Sequence, residues 1–198
     1  MKKLLIATTN PWKAKLFAPI INQYGFEVIS LNDIAPQEDI PIENGATVIE
    51  NALIKARHYH SPEYPWVFGD DTGLEIKALN GEPGVQSRRW GGKFPNDIDE
   101  KVWLDYLLER MRDIPPGERI AEFVDGWALI APDGNAYSHE LRAAFEIATK
   151  KIRPLVSGSP VMAVAIGLPQ EPSEIFTLAK AKWDEWGILE KLSGSTTN

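Results

Sequence analysis

Residues 65–76, Pro65-Trp66-Val67-Phe68-Gly69-Asp70-Asp71-Thr72-Gly73-Leu74-Glu75-Ile76, decide the fold. Trp66 to Gly69 is a short apolar run of the kind a buried strand carries, and Leu74 to Leu79 alternates like another strand. Two adjacent carboxylates, framed by glycines, stand between them. Ligands of open α/β sheets sit outside the carboxyl ends of the strands, which is where this reading puts Asp70 and Asp71. Neighbouring carboxylates repel unless a cation or a shared proton relieves them. They suit Mg²⁺, which takes a few carboxylates and completes its shell with water and phosphate oxygens. An Asp-rich turn accounts for the same residues, because Asp and Gly are ordinary turn formers.

Working outward, Lys3 to Thr8 reads as a strand, and Asn10-Pro11 as an N-cap followed by proline at the first helical position. Leu16, Phe17, Ile20, Ile21 and Tyr24 make one helical face that stops at Gly25, with Pro19 expected to kink the helix. Phe26 to Leu31 is the next strand. Thr47-x-x-Glu50 is a capping box that opens a helix running to about His58. Beyond the turn at Asn80–Gly84, Asp97 to Met111 predicts a helix with Val102, Leu104, Leu107, Leu108 and Met111 inward. Three strands are expected over Ala121–Ala131, Ala136–Thr149 and Pro160–Leu168, the first two joined by a turn at Pro132–Asn135. A helix over Phe176–Leu192 and a polar tail, residues 193–198, end the chain. The order βαβα followed by antiparallel strands argues an α/β fold with a mixed sheet, as a single domain over residues 1–198.

The composition excludes several function classes. The 198 residues are 43% hydrophobic and 25% charged, and contain no cysteine. That is the make-up of a soluble globular protein with a proper core, without disulfides, zinc thiolates or a cysteine nucleophile. The net charge is −7. With a pI near 5.1, the chain lacks the basic footprint of a protein that coats nucleic acid. The longest apolar run, Val161 to Leu168, is far too short to span a membrane. The apolar stretch after Met1-Lys2-Lys3 is too short for export, so a cytoplasmic protein is expected. Residues 61–100 hold eight acids and four bases, which makes that segment the place to look for a cation, or else a solvated acidic surface.

Other groups extend the candidate site. Thr8-Thr9-Asn10-Pro11-Trp12-Lys13 is a strand-to-helix turn whose backbone N–H groups favour an anion, with Lys13 able to reach back to it. A capped helix with a surface lysine explains the same pattern. Glu43 precedes the Thr47 helix and could lend a carboxylate to the same metal. Arg88-Arg89 could bind phosphate or lock the acidic loop as an ion pair. His58, His60 and His139 show no ligand or triad spacing. Trp66, Trp127, Trp183 and Trp186 are expected inside.

Together these pieces resemble the inosine/xanthosine triphosphate pyrophosphatase family. ATTNPWK is similar to its T-x-N-x-x-K phosphate motif. ENGATVIENALIKA is similar to its E-x-G-x-T-x-x-E-N-A-x-x-K-A segment, and GDDTGLEIKALNGEPGVQSRRWGG to its D-D-[ST]-G-L…L-x-G-x-P-G-x-x-S-x-R segment. The resemblance runs from residue 1 to about 125. It implies an elongated mixed α/β fold of two lobes with a central cleft, usually a homodimer. It implies Mg²⁺-dependent hydrolysis of a nucleoside triphosphate to monophosphate and pyrophosphate. Thr8, Thr9, Asn10 and Lys13 would hold the phosphates, while Glu43 and Asp71 hold the metal. Asp71 would act as general base with Asp70 beside it, and Thr72 would touch substrate. Lys55 and Arg89 would neutralise phosphate or order the acidic loops.

The C-terminal third departs from that family. The late strand reads SPVMAVAIGLP where the family has an aromatic-Gly-Tyr-Asp-Pro segment. The last helix reads AKAKWDEWGILEKL where the family has Ser-His-Arg. Both missing segments help the family recognise the base. The alternative function is therefore a catalytically inactive or regulatory nucleotide-binding protein that retains the fold.

Overall fold

The computed structural model describes residues 1–35, 39–168 and 172–188. One mixed sheet forms its spine, in the order β2-β1-β3-β5-β6-β7. β1 (Lys2–Ile6) pairs in parallel with β2 (Phe26–Ser30) and β3 (Val67–Ile76). β5 (Ile120–Ile130), β6 (Ala136–Ile147) and the two-residue β7 (Ala165–Ile166) follow in antiparallel register. A short β4 (Pro83–Gly84) pairs with β3 at Leu74 and Glu75.

Local chemistry sets the helices. α1 (Pro11–Asn22) starts where the Asn10 side chain accepts from the Trp12 N–H at 2.9 Å, and it runs on past Pro19. α2 (Val48–Tyr59) starts at Thr47, whose hydroxyl accepts from the Glu50 N–H at 3.1 Å. Glu50 reaches back to the N–H of Ala46 at 2.6 Å, one residue before the cap, so the box closes one position earlier than expected. α3 (Glu100–Arg110) is capped by Asp99. α4 (Pro172–Glu185) covers the described part of the expected final helix. The expected end at Leu192 and the tail over residues 193–198 lie outside the described residues.

Alternation along the strands sorts the residues into two faces. On one face, α1 and α4 pack over Leu4, Ile6, Phe68, Trp127 and Leu129. All four tryptophans expected inside are there, with Trp183 tilted against Tyr24 at 5.2 Å and Phe17 edge-on to Trp127 at 5.6 Å. Such pairs contribute about 1 kcal/mol each beyond the burial of their area. Further along the same face, α3 and a 3₁₀ turn at Pro160–Ala163 cover Leu74, Ile76, Ala121, Phe145 and Ile147. These are the two lobes. Arg119, buried in the second, donates to the carbonyls of Met111, Ile114, Ile147 and Ala148, and ties the end of α3 to the end of β6.

α2 covers the opposite face, over Leu5, Val67, Ala128 and Ile130. It lies so close that a Cβ on Gly69 would stand 2.3 Å from the Ala52 carbonyl oxygen, and one on Gly126 2.4 Å from the Val48 carbonyl carbon. Glycine at these positions is the condition for the helix to touch the sheet.

Three expectations are corrected. The two strands expected on either side of Asp70 and Asp71 are one ten-residue strand, so the carboxylates lie within β3 and not in a turn. Their glycines serve packing against α2. The strand expected over Pro160–Leu168 is a 3₁₀ turn followed by β7, because Pro160 opens a helical turn and lacks a ladder N–H. Leu104, Leu107, Leu108 and Met111 face inward as expected, but Val102 is 48% exposed and its neighbour Trp103 is buried in its place.

Candidate active site

The site begins as a gap in the sheet. β1 pairs with β3 only at Val67 and Phe68, and β4 joins at Leu74. Between them, among the described residues, 69–73 have no strand neighbour on that side. Asp70 and Asp71 point to opposite faces, yet the open edge lets both reach one cleft of about 880 Å³. The cleft lies between the two lobes. Its floor is Asp70, Thr72 and Asp125, the polar stretch of a sheet face that is apolar at both ends.

Each carboxylate is held by a different helix. Lys13, on the first turn of α1, pairs with Asp70 at 2.6 Å. Asp70 is only 2% exposed, and its Oδ1 has no hydrogen-bond partner among the described residues. Asp71 faces α2, where Asn51 Nδ2 donates to Oδ2 at 3.0 Å and Lys55 Nζ to Oδ1 at 3.2 Å. The same ammonium reaches Glu43 Oε2 at 3.2 Å. Burial opposes the charge on Lys55, but Asp71, Asp70 and Glu43 outweigh it and hold its pKa above the ordinary lysine value.

The sequence-derived candidates thus converge: Thr8, Thr9, Asn10, Lys13, Glu43, Lys55, Asp70, Asp71, Thr72 and Arg89 all line the cleft. The Thr8 hydroxyl is engaged in the turn, accepting from the Asn10 N–H at 3.1 Å. Of the two arginines, Arg88 takes the structural role. Arg88 locks the loop before α3, pairing with Glu100 at 2.6 Å and donating to the Asn96 and Ile98 carbonyls. Arg89 makes no ion pair among the described residues.

Several residues were not anticipated. Asn51 joins the Glu43 loop to the acid pair, since its Oδ1 accepts from the Gly45 N–H at 2.8 Å. Asp125 accepts from the Thr72 hydroxyl at 2.6 Å. Burial pushes its pKa up to about 6, helped by Asp70 and Asp71 and opposed by the Thr72 bond and Lys13. A lone Asp within the apolar run of β5 was the available signal. Asn10 Nδ2 donates to the Gly158 carbonyl at 3.2 Å, and the Gly158 N–H donates to Glu100 at 2.7 Å, so the lobes touch at the cleft mouth.

The donor set is chemically clear. Glu43 and Asp71 already share one cation, the Lys55 ammonium, and every donor is a hard oxygen. No set of three or more acid, His or Cys side chains converges as a cation cage among the described residues. Mg²⁺ needs only one or two carboxylates when phosphate and water complete its shell, so Glu43 and Asp71 fit it. Asp70 Oδ1 adds a buried acceptor awaiting a donor or cation.

A model of the Ham1 family matches residues 4–154, beyond the point near 125 where the motifs end. A dITP/XTP pyrophosphatase of Corynebacterium efficiens is 43% identical over 142 residues, 71% of this chain and 67% of that protein. One of Thermus thermophilus is 41% identical over 138 residues, 70% of this chain and 64% of that protein. The aligned stretch thus spans about two thirds of the length of these relatives. Among solved structures, a nucleoside-triphosphatase / dITP/XTP pyrophosphatase of Mycobacterium abscessus superposes with a TM-score of 0.64 at 30% identity, covering 93% of this chain and 98% of that one. A HAM1 protein of Coxiella burnetii gives 0.67 at 25% identity, covering 100% and 99%. No described helix is long and apolar enough to cross a membrane.

Proposed function

The chain belongs to the Ham1 family, and we propose that it is a Mg²⁺-dependent nucleoside triphosphate pyrophosphatase, a hydrolase acting on acid anhydrides. The observation that carries this reading is the pairing of Lys13 with Asp70 and of Lys55 with Asp71 and Glu43, facing one cleft at the N-terminus of α1. The names of the relatives, dITP/XTP pyrophosphatases, support the same reaction.

The N–H groups that open α1, with Thr8, Thr9, Asn10 and Lys13, suit the oxygens of a polyphosphate. Lys55 and Arg89 add positive charge, and Thr72 lies where substrate crosses the floor. A water oxygen attacks the α-phosphorus, and the bond from that phosphorus to the α,β-bridging oxygen breaks. Monophosphate and pyrophosphate are the products. Asp71, held by Asn51 and Lys55, accepts the proton of the water, while Asp70 fixes Lys13 toward the phosphates. Glu43 and Asp71 would hold Mg²⁺, which would supply charge neutralisation of the triphosphate. The rest of the work is positioning, which this rigid set of ion pairs can supply.

We further propose a single-domain, cytoplasmic protein, from the sequence pattern, and a homodimer, on the strength of the family resemblance. The test of the function is pyrophosphate release from a panel of nucleoside triphosphates with Mg²⁺ present and Asp71→Asn as control. Release that the substitution abolishes supports the reading. Tight nucleotide binding without turnover would instead identify a regulatory binder.

A further inference from the structure

Asp125 has no part in the reaction as described, yet it occupies the middle of the cleft floor. It stands opposite Thr72 in the β3–β5 register, one strand further from the phosphate end. Its Oδ1 is fixed by the Thr72 hydroxyl at 2.6 Å. Its Oδ2 has no hydrogen-bond partner among the described residues. Asp125 is partly exposed and lines the cleft. The other cleft carboxylates, Glu43, Asp70, Asp71 and Glu100, are each paired with a Lys or Arg. Asp125 has no such partner within ion-pair distance among the described residues.

We propose that Asp125 binds the sugar of the nucleotide, accepting hydrogen bonds from its ring hydroxyls and setting the preference of the site for the sugar. This rests on the nucleotide reading of the cleft. Adjacent strands are about 4.8 Å apart, and the sugar ring follows the α-phosphate by only a few bonds. A nucleotide with its α-phosphate at the Asp70–Asp71 edge therefore carries its sugar over β5. Around Asp125 the lining also holds apolar side chains, Phe123 on β5, Leu141 opposite Asp125 on β6, and Val161 and Met162 of the 3₁₀ turn, surfaces that suit a base. An acceptor-only group between an anion site and an apolar wall is matched to hydroxyl donors. The Thr72 bond orients the carboxylate, which limits the entropy lost on binding.

The test compares inosine, 2′-deoxyinosine and 2′,3′-dideoxyinosine triphosphates as substrates of the wild-type protein, Asp125→Ala and Asp125→Asn. The binding of the three corresponding monophosphates is measured by calorimetry in parallel. The wild-type protein is expected to lose about tenfold or more in kcat/KM and in affinity as the hydroxyls are removed, the scale of a hydrogen bond to a charged group. Asp125→Ala should fall to the dideoxy level for all three sugars. Asp125→Asn, which keeps an acceptor and the shape, should fold normally and retain part of the discrimination. Indifference of the wild-type protein to the hydroxyls overturns the proposal, as does an equal loss for all three sugars in Asp125→Ala. If no nucleotide is hydrolysed, the pyrophosphatase reading fails, and the monophosphate series still decides the role of Asp125.

Discussion

Lys55 Nζ stands 3.2 Å from both Glu43 Oε2 and Asp71 Oδ1, so one ammonium from α2 joins a loop carboxylate to a strand carboxylate. The arrangement is a cation site with a protein cation in it. Substituting Lys55→Met leaves two carboxylates facing each other without compensation. Thermal or denaturant unfolding should show a loss of about 2 kcal/mol, below the range for fully buried pairs because the Glu43 side chain is 39% exposed. Mg²⁺ should then raise the melting temperature of Lys55→Met more than that of the wild-type protein, as bound ligand stabilises the folded state. Equal Mg²⁺ effects on the two proteins would mean that the carboxylates do not take a divalent ion.

The contact of α2 with the sheet sets a second expectation. Gly69→Ala would force a Cβ to within 2.3 Å of the Ala52 carbonyl oxygen, and backbone cannot move aside like a flexible side chain. The helix must lift, and Lys55 and Asn51 lift with it. A loss of stability of about 3 kcal/mol or more is expected by urea unfolding. Activity should fall further than stability alone explains, because both partners of Asp71 are displaced.

Asp125 gives the protein a pH signature. Its pKa in the folded state is about 6, above the ordinary 3.8 of an unfolded Asp. Below the unfolded value both states hold the proton and nothing is lost. As pH rises through the window from about 4 to about 6, the unfolded chain ionises first, and stability falls. Asp125→Asn removes that penalty. Its stability relative to the wild-type protein should improve from pH 4 to pH 7, by on the order of 1–3 kcal/mol. Parallel stability curves for the two proteins would show that Asp125 ionises freely in the fold.

Asn10 both caps α1 and touches the opposite lobe at Gly158. Asn10→Ala should cost about 1 kcal/mol of stability through the lost cap. It should also raise KM for nucleotide by about tenfold, as one lost polar contact does. A stability change without any change in KM would confine Asn10 to the cap.

Local chemistry made much of this legible. Asn10-Pro11 and Thr47-x-x-Glu50 read correctly as helix starts, because a cap is decided within a few residues. Lys13, Asp70, Asp71 and Glu43 were visible in the local pattern and Lys55 through the family resemblance, and all meet in the cleft. The location of the acid pair was not legible. That Asp70 and Asp71 lie on a strand edge depends on where β1 stops and β4 begins, which no window around them contains. Asn51, Asp125 and Gly158 escaped for the same reason, since their meaning comes from Asp71, Thr72 and Asn10 across the fold. Pro160–Leu168 misled because its apolar run resembles a strand, whereas Pro160 turns the chain. Val102 misled because the adjacent Trp103 takes the inward position at the start of α3.

In the proposed reaction Asp71 takes the proton from a water that splits nucleoside triphosphate between its α- and β-phosphates. The most direct test follows monophosphate and pyrophosphate from inosine triphosphate with Mg²⁺, in the wild-type protein and in Asp71→Asn. The expected result is one pyrophosphate per monophosphate, no orthophosphate, and a fall in kcat of about a thousandfold in Asp71→Asn, the scale of a lost general base. Orthophosphate as product, or an Asp71→Asn protein as fast as the wild type, would contradict it.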